Sequence, residues 1–179
     1  MSTASRLISY EDSFLLPEDK YAEIVKGELR RMPPPRLRYA LLFEELALLL
    51  RCALDARFRV LVSAFGQLIR KVPFTYRIPD LGVYVRERLA DEHYISAVPE
   101  RLVEVISPAN RKGNLTELIG DYDELGAPEL WLIEADRQRI VRMVRENERL
   151  VESGIFSDGS ISPRRVPEAS IPLANLWNL

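Results

Sequence analysis

Glu104 is a carboxylate set inside an apolar run, Arg101-Leu102-Val103-Glu104-Val105-Ile106, that stops at Ser107-Pro108. The run is rich in β-branched residues and ends at a breaker, so it reads as a buried strand. A carboxylate there is costly unless something pairs with it or binds it. A second carboxylate, Asp80, follows Pro79 at the head of another strand-like run, Leu81-Gly82-Val83-Tyr84-Val85. Period-2 alternation places Leu102, Glu104 and Ile106 on one face of their strand. If the two strands are neighbours, both carboxylates point into one pocket and repel each other, and a divalent cation resolves that conflict. Mg²⁺ is commonly held by one or two carboxylates, with waters and substrate phosphate completing the shell. An ion so held can activate water and offset charge on a phosphodiester. Each residue also has an ordinary explanation: Pro-Asp opens turns, and a mid-strand glutamate can pair with an arginine.

The elements that would position these groups follow from patterning. Tyr21 to Met32 reads as a hairpin turning at Lys26-Gly27, closed off by Pro33, Pro34 and Pro35. Residues 36–56 form a helical pattern with a narrow polar stripe of Arg38, Glu44, Glu45, Arg51 and Asp55, which predicts a helix covered on most sides. Strands are expected at 58–63, 65–71, 78–85 and 101–106, with an irregular polar stretch over 86–99. Asn114 to Leu125 reads as a helix, with Asn114 as N-cap, Glu117 completing a capping box, and Leu115, Leu118, Ile119, Tyr122 and Leu125 on one face. Gly126 suits the left-handed position beyond its end and Pro128 prevents continuation. Further strands are expected at 130–134, 139–144 and 149–152. The arginines at 137, 139, 142, 145 and 149 suit a sheet edge, where charge discourages pairing. Together these elements predict an α/β (α+β) fold, a central mixed sheet flanked by helices with an N-terminal hairpin. It forms one domain over 1–179, with an extension at 1–20 and a closing segment at 161–179.

The totals narrow the class. A chain of 179 residues, 47% hydrophobic and 29% charged, with net charge −2, has an ordinary globular composition and is no polybasic binder. Cys52 is the one cysteine, which excludes an internal disulfide and suits a reducing cytoplasm. The greasiest segment, 37–54, is interrupted by charges, so no membrane span is expected. His93 is the one histidine, which leaves zinc centres and histidine triads without ligands. No glycine-rich phosphate loop is present.

Ile78-Pro79-Asp80 followed by Val103-Glu104-Val105-Ile106-Ser107-Pro108 resembles the PD-(D/E)XK restriction-endonuclease-like superfamily, and more narrowly its Uma-two family of endonucleases. The resemblance runs along almost the whole chain. It includes the Tyr21–Met32 hairpin, the helix after Pro35, the helix through Tyr122, and Gly126-Ala127-Pro128-Glu129-Leu130-Trp131-Leu132, all in family order. It implies a restriction-endonuclease-like core and a Mg²⁺- or Mn²⁺-dependent DNA endonuclease, with Asp80 and Glu104 as metal-binding carboxylates. Glu28 matches an acidic position near the site. DNA is the implied partner, and a homodimer would suit cutting of both strands.

Two departures bear on activity. The superfamily's lysine would stand at Ile106; in this family it is moved to the following helix, where the matching position is Leu118. A histidine or similar polar residue of the long helix is replaced by Tyr39. Lys112, or Arg111 beside it, is the candidate to supply the missing cation from the helix entrance, and Lys112 is counted with Asp80 and Glu104 as a candidate catalytic residue. Both are otherwise solvated loop charges. Arg30, Arg31, Arg36 and Arg38 are candidate phosphate contacts or a solvated face. The alternative is a catalytically inactive nuclease-fold scaffold that binds DNA or a protein partner.

Overall fold

The strand expected at 78–85 begins only at Leu81. In the computed structural model, which describes residues 7–17, 21–63, 65–106 and 113–178, Ile78-Pro79-Asp80 are irregular and precede it. Residues Thr75–Arg77 form β5 of one sheet, and Leu81–Val85 form β6 of another. Asp80 therefore lies where the chain crosses between two sheets.

The smaller sheet has the order β2-β1-β5-β4, from Ala22–Val25 (β1), Glu28–Arg31 (β2) and Gln67–Arg70 (β4) around β5. Its hairpin turns on Lys26 and Gly27, both at positive φ (53° and 81°), the two-residue turn whose twist matches the flanking strands. A short helix, α1 (Tyr10–Ser13), is capped by Ser9 and packs Tyr10 on Phe74 and Tyr94 beside this sheet.

The larger sheet carries six strands in the order β10-β9-β8-β7-β6-β3. They are Phe58–Val62 (β3), β6, Arg101–Val105 (β7), Glu129–Glu134 (β8), Arg139–Glu146 (β9) and Arg149–Phe156 (β10). The β7–β8 pair is parallel, and its crossover runs through the second long helix, α3 (Gly113–Leu125). The other pairs are antiparallel, so the central sheet is mixed, as expected. Alternation sorts the two faces. Val103, Trp131 and Ile133 join Leu46 and Leu50 of the first long helix, α2 (Leu37–Ala53). Leu102, Leu130 and Leu132 join Tyr122 of α3 on the other side. Burial on both faces explains why β7 and β8 read as nearly continuous apolar runs. The C-terminal segment closes the α2 face: β11 (Ser160–Ile161) pairs with β12 (Ile171–Pro172), and Leu173 and Leu176, the latter on α4 (Ala174–Trp177), enter the same core.

Several expectations are corrected. Helix α2 is covered on one side only. Leu42, Phe43, Leu46, Ala47 and Leu50 are buried, whereas Leu37, Leu41 and Leu48 are 75%, 46% and 53% exposed. Helix α3 includes Gly113, so Asn114 lies inside it, and Glu117 pairs with Lys26 and Arg30 of the hairpin. The C-terminal end holds as read, with Gly126 at φ 83°. The arginine-rich strand β9 is interior to the sheet, and β10 is the edge and runs longer than expected. The arginines of β9 have partners: Arg139 pairs with Glu134, Arg142 lies over the Phe156 ring, and Arg145 donates to the Asp123 carbonyl. Alternation with apolar residues marked a strand, but it could not say which neighbour supplied the compensation.

The one-sided burial of α2 is testable. Leu46→Ala should lower stability by roughly 2–5 kcal/mol, while Leu48→Ala should stay within about 0.5 kcal/mol. Urea unfolding of the two variants checks this, and equal losses would show that the outer face of α2 is covered in solution.

Candidate metal centre

Strands β6 and β7 pair antiparallel, with Leu81 opposite Val103 and Gly82 opposite Leu102. Continued by one residue, that register sets Asp80 opposite Glu104. The Val105 N–H donates to Asp80 Oδ2 at 2.7 Å, so the end of β6 is tied to β7 through the carboxylate itself. Glu104 shares its face with Leu102 and Ile106, which belong to the α3-side core. On that face the Tyr122 hydroxyl of α3 donates to Glu104 Oε1. Both carboxylate residues are half-buried and not sealed. The condition set by sequence, that the two strands be neighbours, is met, and Leu102, Glu104 and Ile106 share a face as alternation predicts.

A third carboxylate was not singled out by sequence. Glu23 on β1 is 5% exposed, and both its oxygens are used. Oε1 accepts the Ile78 N–H at 2.9 Å and Oε2 accepts Arg77 Nη1 at 2.9 Å. Arg77 also donates through Nε to Asp121 Oδ2 at 2.8 Å. Asp121 in turn pairs with Arg70 at 3.3 Å. This buried chain of charges joins β1, β5 and α3, and it fixes the backbone just before Asp80. Glu23 was legible in principle, as a lone acid within the apolar Ala22-Glu23-Ile24-Val25 run, the same signal that marked Glu104. Glu28 is instead 64% exposed at its side chain and sits 3.8 Å from Arg30, a solvated hairpin residue.

The other candidates divide in the same way. Leu118 packs against the α3-side core, one helical turn before Tyr122, so the position faces inward and carries no charge. Tyr39 is partly buried against the α2-side core. Lys112 and Arg111 lie outside the described residues. Arg30 and Arg38 are engaged by Glu117 and Asp136, and Arg36 is exposed. His93 stacks near Phe14 and Tyr94.

The electrostatics single out the pair. Burial pushes the Asp80 carboxyl up to about 6, against the Val105 N–H that pulls it down, and the charge of Glu23 adds to the rise. Burial and then the charge of Asp80 push Glu104 well above the usual carboxylate range, and the Tyr122 hydroxyl and Arg77 offset this in part. Glu117 shows the opposite case: hydrogen bonding from Arg30 holds it down at about 2. Among the described residues no Lys or Arg forms an ion pair with Asp80 or Glu104, whereas Glu23, Glu117 and Asp121 all have one.

This donor set fits a hard divalent cation. Two adjacent, under-compensated carboxylates supply charge and oxygen ligands, and no group of three or more His, Cys, Asp or Glu converges among the described residues. Zinc's usual nitrogen and sulfur shell is not provided by it. A cation with few protein ligands and several waters suits Mg²⁺ or Mn²⁺.

The family model Uma2, described as "Putative restriction endonuclease", matches residues 9–174. The chain belongs to the Uma2 family. This Uma2 member is also similar to a solved structure from Anabaena variabilis ATCC 29413, described as a "putative nuclease belonging to DUF820", with 18% identity over 95% of this chain and 97% of that one at a TM-score of 0.78. That likeness shows the restriction-endonuclease-like fold. No curated protein matches the chain. No helix among the described residues is long and apolar enough to cross a membrane.

A carboxyl raised in the folded state holds its proton more tightly there than in the unfolded chain. It stabilises the fold while protonated, and that contribution is lost as pH rises through the folded value. In metal-free protein Asp80 should therefore lose about 1–3 kcal/mol of stabilisation as pH rises from about 4 to 7. Urea midpoints in EDTA should fall less steeply with pH for Asp80→Asn, Glu104→Gln than for wild type; parallel profiles would contradict the shift. Separately, Glu23→Ala should cost roughly 3 kcal/mol or more, because it unpairs a buried arginine and strands the Ile78 N–H. Glu28→Ala should cost less than about 0.5 kcal/mol in the same unfolding measurement.

Proposed function

We propose that the protein is a Mg²⁺- or Mn²⁺-dependent endonuclease that hydrolyses phosphodiester bonds in DNA. The observation that carries this reading is the opposition of Asp80 and Glu104 across β6 and β7, where among the described residues neither has an ion-pair partner while Glu23, Glu117 and Asp121 each have one. Family membership supports the same class of chemistry.

In this reading Asp80 and Glu104 hold the cation. When bound, such an ion supplies a water of lowered pKa and offsets charge on the phosphate. Asp80 is oriented by the Val105 N–H and Glu104 by the Tyr122 hydroxyl. Arg77 is a cation of this neighbourhood, but its guanidinium is committed to Glu23 and Asp121. Leu118 offers the attacking water no ammonium. Loss of one charge-stabilising group commonly costs about 10²–10³ in rate, so the chain should be a slow nuclease unless Lys112 or Arg111 supplies the charge. The apolar side chain at Leu118 is also the observation that favours a second reading, a nuclease-fold scaffold that binds DNA or a protein partner without cutting.

Plasmid nicking with Mg²⁺ and with Mn²⁺ separates the readings. The endonuclease reading predicts nicking by wild type that Asp80→Ala and Glu104→Ala each reduce at least 100-fold. It also predicts that Leu118→Lys raises the rate by roughly 10- to 1,000-fold, the inverse of the usual loss. No cleavage by wild type and none by Leu118→Lys across supercoiled, linear and single-stranded DNA would establish the scaffold reading instead.

A further inference from the structure

Asp80 and Glu104 are each oriented by one neutral donor, and the two donors differ in kind. Asp80 is fixed by a backbone N–H from the facing strand, a group that cannot be mutated away. Glu104 has a longer side chain with more rotamers to choose among, and the donor placed on it is the hydroxyl of Tyr122. Tyr122 is fully buried, packed with Leu102, Ile106 and Leu130 between α3 and the central sheet. Its ring is therefore immobilised, and its hydroxyl is the polar end of an otherwise apolar contact. The residue before it, Asp121, is 3% exposed and anchored to Arg77 and Arg70, which fixes the turn of α3 that carries the ring. Arg77 is held by Glu23, whose other oxygen holds the Ile78 N–H two residues before Asp80. One buried network thus sets both the backbone entering Asp80 and the helix turn facing Glu104.

We propose that Tyr122 is a positioning residue of the cation site: its hydroxyl holds Glu104 Oε1 so that the carboxylate stays turned toward Asp80, ready to bind a divalent cation without reorganising. The inference rests on the two-carboxylate reading given under Proposed function. It assigns α3 a different contribution in this chain. At Leu118 the helix brings no charge, and one turn later it brings a neutral hydrogen-bond donor that acts on the ligand and not on the substrate. Partners that orient a metal ligand typically change metal affinity by about 10- to 100-fold when removed.

The test is Mn²⁺ binding to the full chain by calorimetry at pH 7.5, with wild type, Tyr122→Phe, Asp80→Ala and Glu104→Ala. Tyr122→Phe keeps the ring and deletes only the hydroxyl. It should bind Mn²⁺ about 10-fold more weakly than wild type, while Asp80→Ala and Glu104→Ala lose binding. A purely structural role would lower the melting temperature in EDTA and leave Mn²⁺ affinity unchanged, and that result overturns the proposal while the cation site stands. Wild-type binding that Asp80→Ala and Glu104→Ala leave untouched, or no wild-type binding, overturns the cation site and this inference together. Should Tyr122→Phe fail to fold, the near-ultraviolet difference spectrum of wild type on adding Mg²⁺ decides. A tyrosine band shift that is absent in Glu104→Ala supports the contact, and no shift despite measured binding overturns it.

Discussion

Two carboxylates opposed on one face of a buried strand pair repel each other, and much of this structure can be understood as the means of keeping them there. Desolvation disfavours each charge and proximity disfavours the second one further, so both carboxyls are raised above the usual carboxylate range. The neighbouring carboxylates Glu23, Asp121 and Glu117 are each paired with an arginine. Among the described residues Asp80 and Glu104 have no such partner, an arrangement that costs stability, and tolerance of that cost is the reason to assign them to a ligand.

The surrounding elements distribute the work. The central sheet supplies register: β6 and β7 determine which residues face each other, and burial on both sides by α2 and α3 makes that register hard to slip. The smaller sheet supplies anchoring. The crossover at Ile78-Pro79-Asp80 would be a loose connector without Glu23, which holds its backbone, and Arg77, which ties β5 to α3. The same network draws in Glu117 and the hairpin cations Lys26 and Arg30, so the N-terminal hairpin is coupled to the site although Glu28 itself is solvated.

Much of this was readable from sequence, because hydrophobic periodicity carries face information. Alternation gave the face shared by Leu102, Glu104 and Ile106, and helical spacing gave the inward stripe of Leu115, Leu118, Ile119 and Tyr122, but that the two meet is a tertiary fact. Features decided by tertiary partners were not readable. Asn114 and Glu117 have the spacing of a capping box, but ion pairing with Lys26 and Arg30 recruits Glu117 away from it. The strand expected at 78–85 starts only at Leu81, because Ile78-Pro79-Asp80 carry the chain from β5 of one sheet to β6 of the other. The apolar outer residues of α2 suggested a buried helix, because composition cannot say how many faces a neighbour covers. Glu23 carried the same signal as Glu104, an acid in an apolar run, and its role depended on an arginine 54 residues away.

Asp80 and Glu104 are expected to share one divalent cation, whose binding displaces protons that their raised carboxyls hold. Calorimetry of Mn²⁺ binding at pH 6, repeated in buffers of different ionisation enthalpy, measures both events at once, since cation binding to protonated ligands releases protons. The account predicts one ion per chain and a buffer-dependent heat corresponding to release of about one proton, which disappears in Asp80→Asn. Binding with no proton release, or release that Asp80→Asn leaves unchanged, would contradict it.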